Sequence, residues 1–159
     1  MSQTSRGERF RFLYRQSDGA IDRREWRLAS WPPIAIALAM TLVWLVVAPR
    51  QARDLSREGL IDLRVIAAYA YLIVYAFALL LCAVAEYFVS AKRFIDRGKP
   101  PALAGLAPFS LFLAAAANWY QPRSEGTMPP WLTWAFDAVA LAVLVWTIAE
   151  LGFAEGGRR

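Results

Sequence analysis

Hydrophobic residues in this chain are concentrated in four long runs that contain almost no charged side chains. The runs cover residues 28–49, 65–85, 100–122 and 126–149, and the last is interrupted only by Asp137. Crossing a hydrocarbon core of about 30 Å takes about 20 helical residues at about 1.5 Å each. The pattern therefore predicts an all-α integral membrane four-helix bundle made of two antiparallel hairpins.

The predicted organisation has three parts. A short N-terminal interfacial segment covers residues 1–21, a four-span membrane domain covers 22–153, and a C-terminal tail covers 154–159. The predicted spans are about residues 28–48, 65–90, 101–121 and 131–151. Aromatic residues among the arginines of 10–14 suit either a segment lying on the membrane surface or a tail whose rings cover the bundle.

Composition and charge agree with a membrane protein. Hydrophobic residues make up 58% of the 159 residues, against about 45–50% in soluble domains. With both termini in the cytoplasm, thirteen of the 18 Lys and Arg residues fall on the cytoplasmic side, as the positive-inside rule requires. The net charge of +5 therefore indicates membrane topology and anionic lipid partners, and no nucleic acid.

Capping signals predict where two of the helices begin and end. Asp22 followed by Glu25 resembles a capping box, so the first helix is expected to start near Asp22. The second helix is expected to run past the bilayer to Arg97, where Gly98 provides a left-handed cap before Pro100 and Pro101. This short corner predicts that spans two and three are antiparallel neighbours.

Carboxylates occur inside or at the edges of the predicted spans at Glu86, Asp137 and Glu150. An Asp at a helix centre costs about 2.5–3.5 kcal/mol on insertion scales. Asp137 lies six residues after Trp131, hence about 9 Å from the outer interface, and serves either a structural contact or a transport site. Its candidate partners at that level are Asn118, Arg64 and Arg123.

Glu86 and Glu150 are predicted to lie at the cytoplasmic edge, close to several cations. The candidate partners are Arg23, Arg24, Lys92 and Arg93. An ion-pair network there would tie the start of span one to the end of span two. The alternative is a set of solvated interfacial charges, whose exposed pairs are worth about 0–1 kcal/mol.

Residue types needed for common enzyme chemistry are missing. The chain has no histidine and one cysteine, Cys82, and the lack of histidine excludes histidine triads and histidine–metal sites. Ser90 and Lys92 are two residues apart and do not share a helix face. We therefore expect a chain that is not an enzyme and that binds no cofactor or metal.

Two short stretches resemble motifs of a known family. Before span one the motif residues are Gly19, Ile21, Arg23 or Arg24, Glu25 and Trp26; after span two they are Lys92, Arg93, Phe94, Asp96, Gly98 and Lys99. Both resemble signatures of the YhaH-like bacterial inner-membrane family, known as domain of unknown function number eight hundred and five. The resemblance implies a multi-pass protein of the bacterial inner membrane and implies no activity.

The chain departs from this family pattern at several positions. Ala20 and Ile95 stand where the family has arginine and histidine, and Pro100-Pro101-Ala102 replaces a polar-Gly-Trp sequence. With that histidine absent, the charges of the two stretches are expected to serve architecture. We predict that Arg93 and Asp96 contact the segment of residues 23–25 across the cytoplasmic face, forming a clasp.

The resulting functional hypothesis is a small non-catalytic accessory, assembly or lipid-interacting membrane component. Its partners would be anionic lipid head groups, with another membrane protein or a second copy as further candidates. The predicted clasp and motif residues are Gly19, Asp22, Arg23, Arg24, Glu25, Trp26, Glu86, Arg93, Asp96, Arg97, Gly98 and Lys99. The predicted lipid-binding residues are Arg23, Arg24, Arg27, Lys92, Arg93, Arg97 and Lys99. The alternative is a small transporter or channel that uses Asp137 and Glu86.

Overall fold

A computed structural model describes residues 6–51 and 62–155 of the chain. The first five residues of the predicted N-terminal segment and the last four of the predicted tail lie outside the described residues. The described part contains five α-helices and no strand: α1 (Arg6–Arg15), α2 (Arg23–Val47), α3 (Leu63–Asp96), α4 (Leu106–Tyr120) and α5 (Pro130–Gly152). Short 3-10 turns cover Ala48–Gln51, Pro101–Gly105 and Gln121–Arg123.

Four helical segments are long and apolar enough to cross a membrane. They are Arg23–Val47, Leu63–Asp96, Pro101–Arg123 and Pro130–Gly152. The third combines α4 with the 3-10 turns on either side of it. The chain is therefore a multi-pass, all-α membrane protein, as the hydrophobic runs predicted.

The ends of α2 and α3 follow from their capping residues. The Asp22 side chain accepts a hydrogen bond of 2.7 Å from the Glu25 amide, which satisfies one of the free donors of the first turn. At the other end of the hairpin, Asp62 accepts from the Arg64 amide at 2.8 Å. Helix α3 ends at Asp96, and Gly98 then adopts a φ of 69°, as the sequence predicted.

Helices α2 and α3 form one antiparallel hairpin, and α4 and α5 form the other. In the first, the hydroxyl of Tyr71 donates to the Met40 carbonyl at 2.7 Å, and Thr41 is hydrogen-bonded to Tyr75 at 3.1 Å. The Trp44 ring stacks with the rings of both tyrosines. These contacts fix the register of the hairpin near the loop that joins its two helices.

The two hairpins meet at one end, where α2 begins and where α3 and α5 end; we call it the clasp end. In the described part of the chain, the hydrogen bonds, ion pairs and ring contacts between the hairpins all involve residues 146–155. Spans two and three, predicted to be antiparallel neighbours, contact each other mainly at the corner that joins them. There the turn Pro101–Gly105 packs against α3, whereas α4 packs mainly on α5.

The hydrophobic core also lies at the clasp end. Its buried residues are Leu13, Ile21, Trp26, Ala29, Val89, Ala91, Phe94, Ala104 and Leu151. Every side chain of residues 89–94 is buried, so this part of α3 is surrounded on all sides. By contrast, only 6% of the residues in the most apolar part of α3 are buried. The protein is therefore packed tightly at the clasp end and loosely along its membrane spans.

Candidate functional site

A chain of hydrogen bonds at the clasp end joins α2 to α3 through Glu86. Ser30 and Ser90 donate to the same carboxylate oxygen of Glu86, at 2.9 and 3.0 Å. The Trp26 indole donates to the Ser90 hydroxyl at 3.2 Å. Glu86 was predicted to face cations, but its described partners are hydroxyl groups, because the neighbouring cations point towards other elements.

The second carboxylate oxygen of Glu86 is buried and has no hydrogen-bond partner among the described residues. The phenol of Tyr14 approaches from α1 and donates to the Ala29 carbonyl at 2.8 Å. Burial, followed by the charge of Glu86, raises the pKa of Tyr14, so its hydroxyl stays protonated and remains a donor. Glu86 thus bonds hydroxyl groups of α2 and α3, and Tyr14 attaches α1 to α2 beside it.

Lys92 is completely buried and holds α1 against the end of α3. Its ammonium donates to the carbonyls of Leu13 at 3.2 Å and Phe88 at 3.3 Å, and also to that of Gln16. The ring of Phe12 lies 5.1 Å from the ammonium nitrogen. The carbonyls at the C-terminal end of a helix lack intrahelical donors, and Lys92 supplies one. Lys92 was predicted to bind lipid, and its burial excludes that role.

Gly19 allows the segment after α1 to pass close to the aromatic ring beneath Lys92. Its φ is 100°, and a Cβ placed there would lie 2.7 Å from the Phe12 ring. Both the backbone conformation and the contact favour glycine at this position. Gly19, one of the residues that resemble the family motif, therefore allows α1 to pack closely against the clasp end.

Arg93 is 1% exposed and joins the ends of α3 and α5. It donates to the Leu151 carbonyl at 3.2 Å and to the Ala154 carbonyl at 2.6 Å, and it forms an ion pair with Asp96. Its partners therefore differ from the predicted segment 23–25. The end of α5 presents carbonyls without intrahelical donors, and a guanidinium can bond several acceptors at once. Burial also removes Arg93 from the lipid-binding candidates.

Glu150 forms the charged part of the contact between the hairpins. Arg97 lies 2.7 Å and Lys99 2.6 Å from the same carboxylate oxygen. Arg97 also donates to the Glu155 carbonyl. The ion-pair network expected for Glu150 therefore exists, but its cations come from the corner after α3 rather than from the predicted set.

The arginines at the start of α2 lie on the surface. Arg23 donates to the Phe153 carbonyl at 3.1 Å, and Glu25 forms an ion pair with Arg9 at 3.3 Å. Arg24 and Arg27 are exposed and form no hydrogen bond or ion pair within the described part of the chain. A cleft of about 500 Å³ is lined by Asp22, Arg23, Arg24, Arg27, Arg93, Asp96 and Glu155. Residues of both predicted motif stretches therefore share one cleft.

Asp137 lies far from this cluster, on the α4–α5 hairpin. The Asn118 amide donates to its carboxylate at 2.8 Å, which confirms Asn118 among the predicted partners. Arg123, another candidate, lies over the Trp119 ring with 4.4 Å between the guanidinium carbon and the ring centre. Glu86 and Asp137 are thus on different hairpins and do not form one site.

Sequence reasoning missed the roles of Ser30 and Tyr14 and the burial of Lys92. The spacing of Glu86 and Ser90, four residues apart on one helix, was a usable signal for their hydrogen bond. Ser30 was a second signal, because a serine within an apolar run commonly bonds across helices.

Comparison with family models, with curated proteins and with solved structures finds no match for this chain. Its function is therefore inferred from the geometry of the chain itself.

Proposed function

We propose that this protein is a small non-catalytic accessory component of a membrane, and that it holds anionic lipid head groups at its clasp end. This proposal rests on a division of the basic residues at the clasp end into two classes. Lys92, Arg93 and Arg97 are bonded within the protein, whereas Arg24 and Arg27 are exposed. The second class is available to an external anion.

The surroundings of Arg24 and Arg27 suit a phospholipid. The two arginines are three residues apart on α2 and therefore lie on one helix face. Leu28 and Trp31 follow on the same helix and are 66% and 68% exposed. Guanidinium groups bind phosphate oxygens in bidentate fashion, and tryptophan prefers the level of the head groups. An anionic phospholipid would satisfy both the arginines and the apolar residues beyond them.

The proposed location is the bacterial inner membrane, with the clasp end and both termini in the cytoplasm. The basic loops support this orientation through the positive-inside rule. We also propose membership of the YhaH-like family. Its support is that the two stretches resembling the family motifs pack together. Trp26 of the first is hydrogen-bonded to Ser90, two residues before the start of the second, and both stretches line one cleft.

The positions of Glu86 and Asp137 favour an accessory role over transport. A transport site would need Glu86 and Asp137 on one path through the membrane. Glu86 is enclosed by serines between α2 and α3, and Asp137 is paired with Asn118 on the other hairpin. Each carboxylate therefore has a hydrogen-bonding partner within its own hairpin, and no described contact links the two.

Native mass spectrometry in mild detergent tests the lipid proposal. The protein would be titrated with phosphatidylglycerol and, separately, with phosphatidylethanolamine. Replacing both Arg24 and Arg27 by Gln removes two cations, each worth about 1 kcal/mol near an anionic surface. We expect retention of phosphatidylglycerol to weaken by about 30-fold, with little change for phosphatidylethanolamine.

Replacing Arg64 and Arg123 by Gln is the matched control, because it removes the same charge from the opposite end. This variant should keep its phosphatidylglycerol affinity within about threefold, since exposed charges beyond a Debye length of about 10 Å are screened. A wild-type protein that retains no phosphatidylglycerol, or equal losses in the two double variants, would overturn the proposal. Proteins that co-purify in the same detergent would test the accessory role separately.

A further inference from the structure

A polar pair is exposed on the membrane-spanning part of the α4–α5 hairpin. Asn118 of α4 and Asp137 of α5 are hydrogen-bonded at 2.8 Å, and both side chains are exposed. Asp137 lies two turns into α5 from the interfacial Trp131, about 9 Å along the helix axis. Its carboxylate therefore faces hydrocarbon unless another polypeptide covers it.

Among the described residues, no hydrogen bond, ion pair or ring contact joins the first hairpin to this pair. The described hydrogen bonds, ion pairs and ring contacts between the hairpins involve residues 146–155 of the second hairpin. Asp137 is nine residues before the nearest of these, so the pair lies about 13 Å further along α5. In the described part of the chain, the first hairpin therefore offers no hydrogen-bonding partner to Asn118 or Asp137.

The hydrogen-bonding groups of the pair are incompletely used. The Asn118 amide donates to the Asp137 carboxylate and, at 3.0 Å, to the Ala114 carbonyl. Ala114 lies within α4, so its carbonyl also accepts the backbone bond of the helix. Within the described part of the chain, no donor is recorded for the second oxygen of Asp137. The Asn118 amide hydrogen that bonds the Ala114 carbonyl can therefore bond a new acceptor instead, because that carbonyl keeps its backbone hydrogen bond.

We propose that a second copy of this chain packs against the α4–α5 face, with each Asn118 donating to the Asp137 carboxylate of the other copy. A two-fold axis along the membrane normal brings residues of equal depth together and pairs Asn118 with Asp137 twice. Lipid chains offer no donor at this depth, whereas a second copy carries one there by symmetry.

The neighbouring residues permit close approach of the two copies. Ala115 lies three residues before Asn118 and is exposed, and Ala138 beside Asp137 is exposed as well. Small residues allow membrane helices to pack closely enough for side chains to hydrogen-bond between them. The proposed face therefore combines a polar pair with small residues beside it and the large exposed side chains of Trp134 and Leu141, one turn on either side of Asp137.

Cysteine cross-linking and energy transfer in phosphatidylcholine vesicles test this proposal. In a Cys82→Ala background, protein with Ala115→Cys mixed with protein with Ala138→Cys should form a disulfide between the two copies, and labelled protein should show energy transfer that falls on dilution with lipid. Asp137→Leu and Asn118→Leu should each weaken association by about tenfold, as expected for losing two hydrogen bonds of moderate strength in a membrane. Asp137→Asn keeps an accepting oxygen and should stay within about threefold of wild type.

Phe77→Ala is the control, because Phe77 is exposed on the other hairpin at 62%; it should associate like wild type. Leucine is favourable in a membrane, so the leucine variants are expected to fold, and unchanged hydrogen exchange in α3 verifies this. A wild-type protein that is monomeric at every dilution would overturn the proposal. So would a dimer that both leucine variants leave intact.

Discussion

Replacing Lys92 by methionine removes the buried ammonium group and keeps most of the side-chain volume. The ammonium bonds the carbonyls of Leu13 and Gln16 at the end of α1, and that of Phe88 within α3. Phe88 retains its backbone donor in the helix, so the loss falls on Leu13 and Gln16. The substitution therefore weakens the docking of α1 rather than the membrane hairpins.

The magnitude follows from these two bonds. A hydrogen bond to a charged group contributes about 1.5–3 kcal/mol, so the gross loss is about 3–6 kcal/mol. Methionine is spared the desolvation of a buried ammonium, which costs several kcal/mol, and Gln16 is exposed enough for its carbonyl to find water. We expect a net loss of about 2 kcal/mol from the free energy that holds α1 closed.

Hydrogen exchange measured by mass spectrometry reports this free energy directly. Local opening sets the exchange rate of amides in a docked helix, and about 2 kcal/mol corresponds to about 30-fold faster exchange in α1. Exchange in the middle of α3 should be unchanged.

Arg27→Met is the matched comparison, because it removes an exposed cation that forms no hydrogen bond or ion pair with the described residues of α1. It should alter α1 exchange by less than about twofold. If Lys92→Met also left α1 exchange within twofold of wild type, Lys92 would not be what fixes the helix.

Two further predictions concern other residues of the clasp end. Gly98→Ala places a side chain in a left-handed backbone conformation with open space around it, and it should lower the unfolding free energy by about 1 kcal/mol. Gly19→Ala adds a clash with the Phe12 ring and should lower it by more. Equal thermal unfolding midpoints of the two variants in detergent would contradict this order. Trp26→Phe removes the indole bond to Ser90 and should cost about 1 kcal/mol. Trp31→Phe changes a residue that is 68% exposed, so it should change the thermal unfolding midpoint little. Equal shifts of the midpoint in Trp26→Phe and Trp31→Phe would refute the role of the Trp26 indole.

Local signals predicted the helix ends well, because a cap is formed by residues close together in the sequence. Asp22 and Gly98 have the predicted roles. The polar partner of Asp137 was also predictable, since Asn118 lies at the same depth on the preceding span. In each case the evidence was the depth or spacing of a few residues.

The partners of the buried cations could not be predicted in this way. Spacing indicates which residues share a helix face, but it does not specify how two helices are rotated relative to each other. Arg93 bonds carbonyl groups at the end of α5, and every residue has a carbonyl, so the sequence contains no distinct signal for them. The separation of α4 from α3 was also hidden, because it depends on how the turn Pro101–Gly105 packs.

The enclosure of residues 89–94 has a consequence for the order of biosynthesis. The carbonyls that bond Arg93 and the carboxylate that binds Arg97 and Lys99 all belong to the end of α5 or the residues just after it. Until α5 has been synthesised, these cations lack those partners, and we expect them to stay at the membrane surface. There they can direct the orientation of the first hairpin. We therefore expect the same side chains to act first as topology signals for the inserting chain and later as the contacts that hold the two hairpins together.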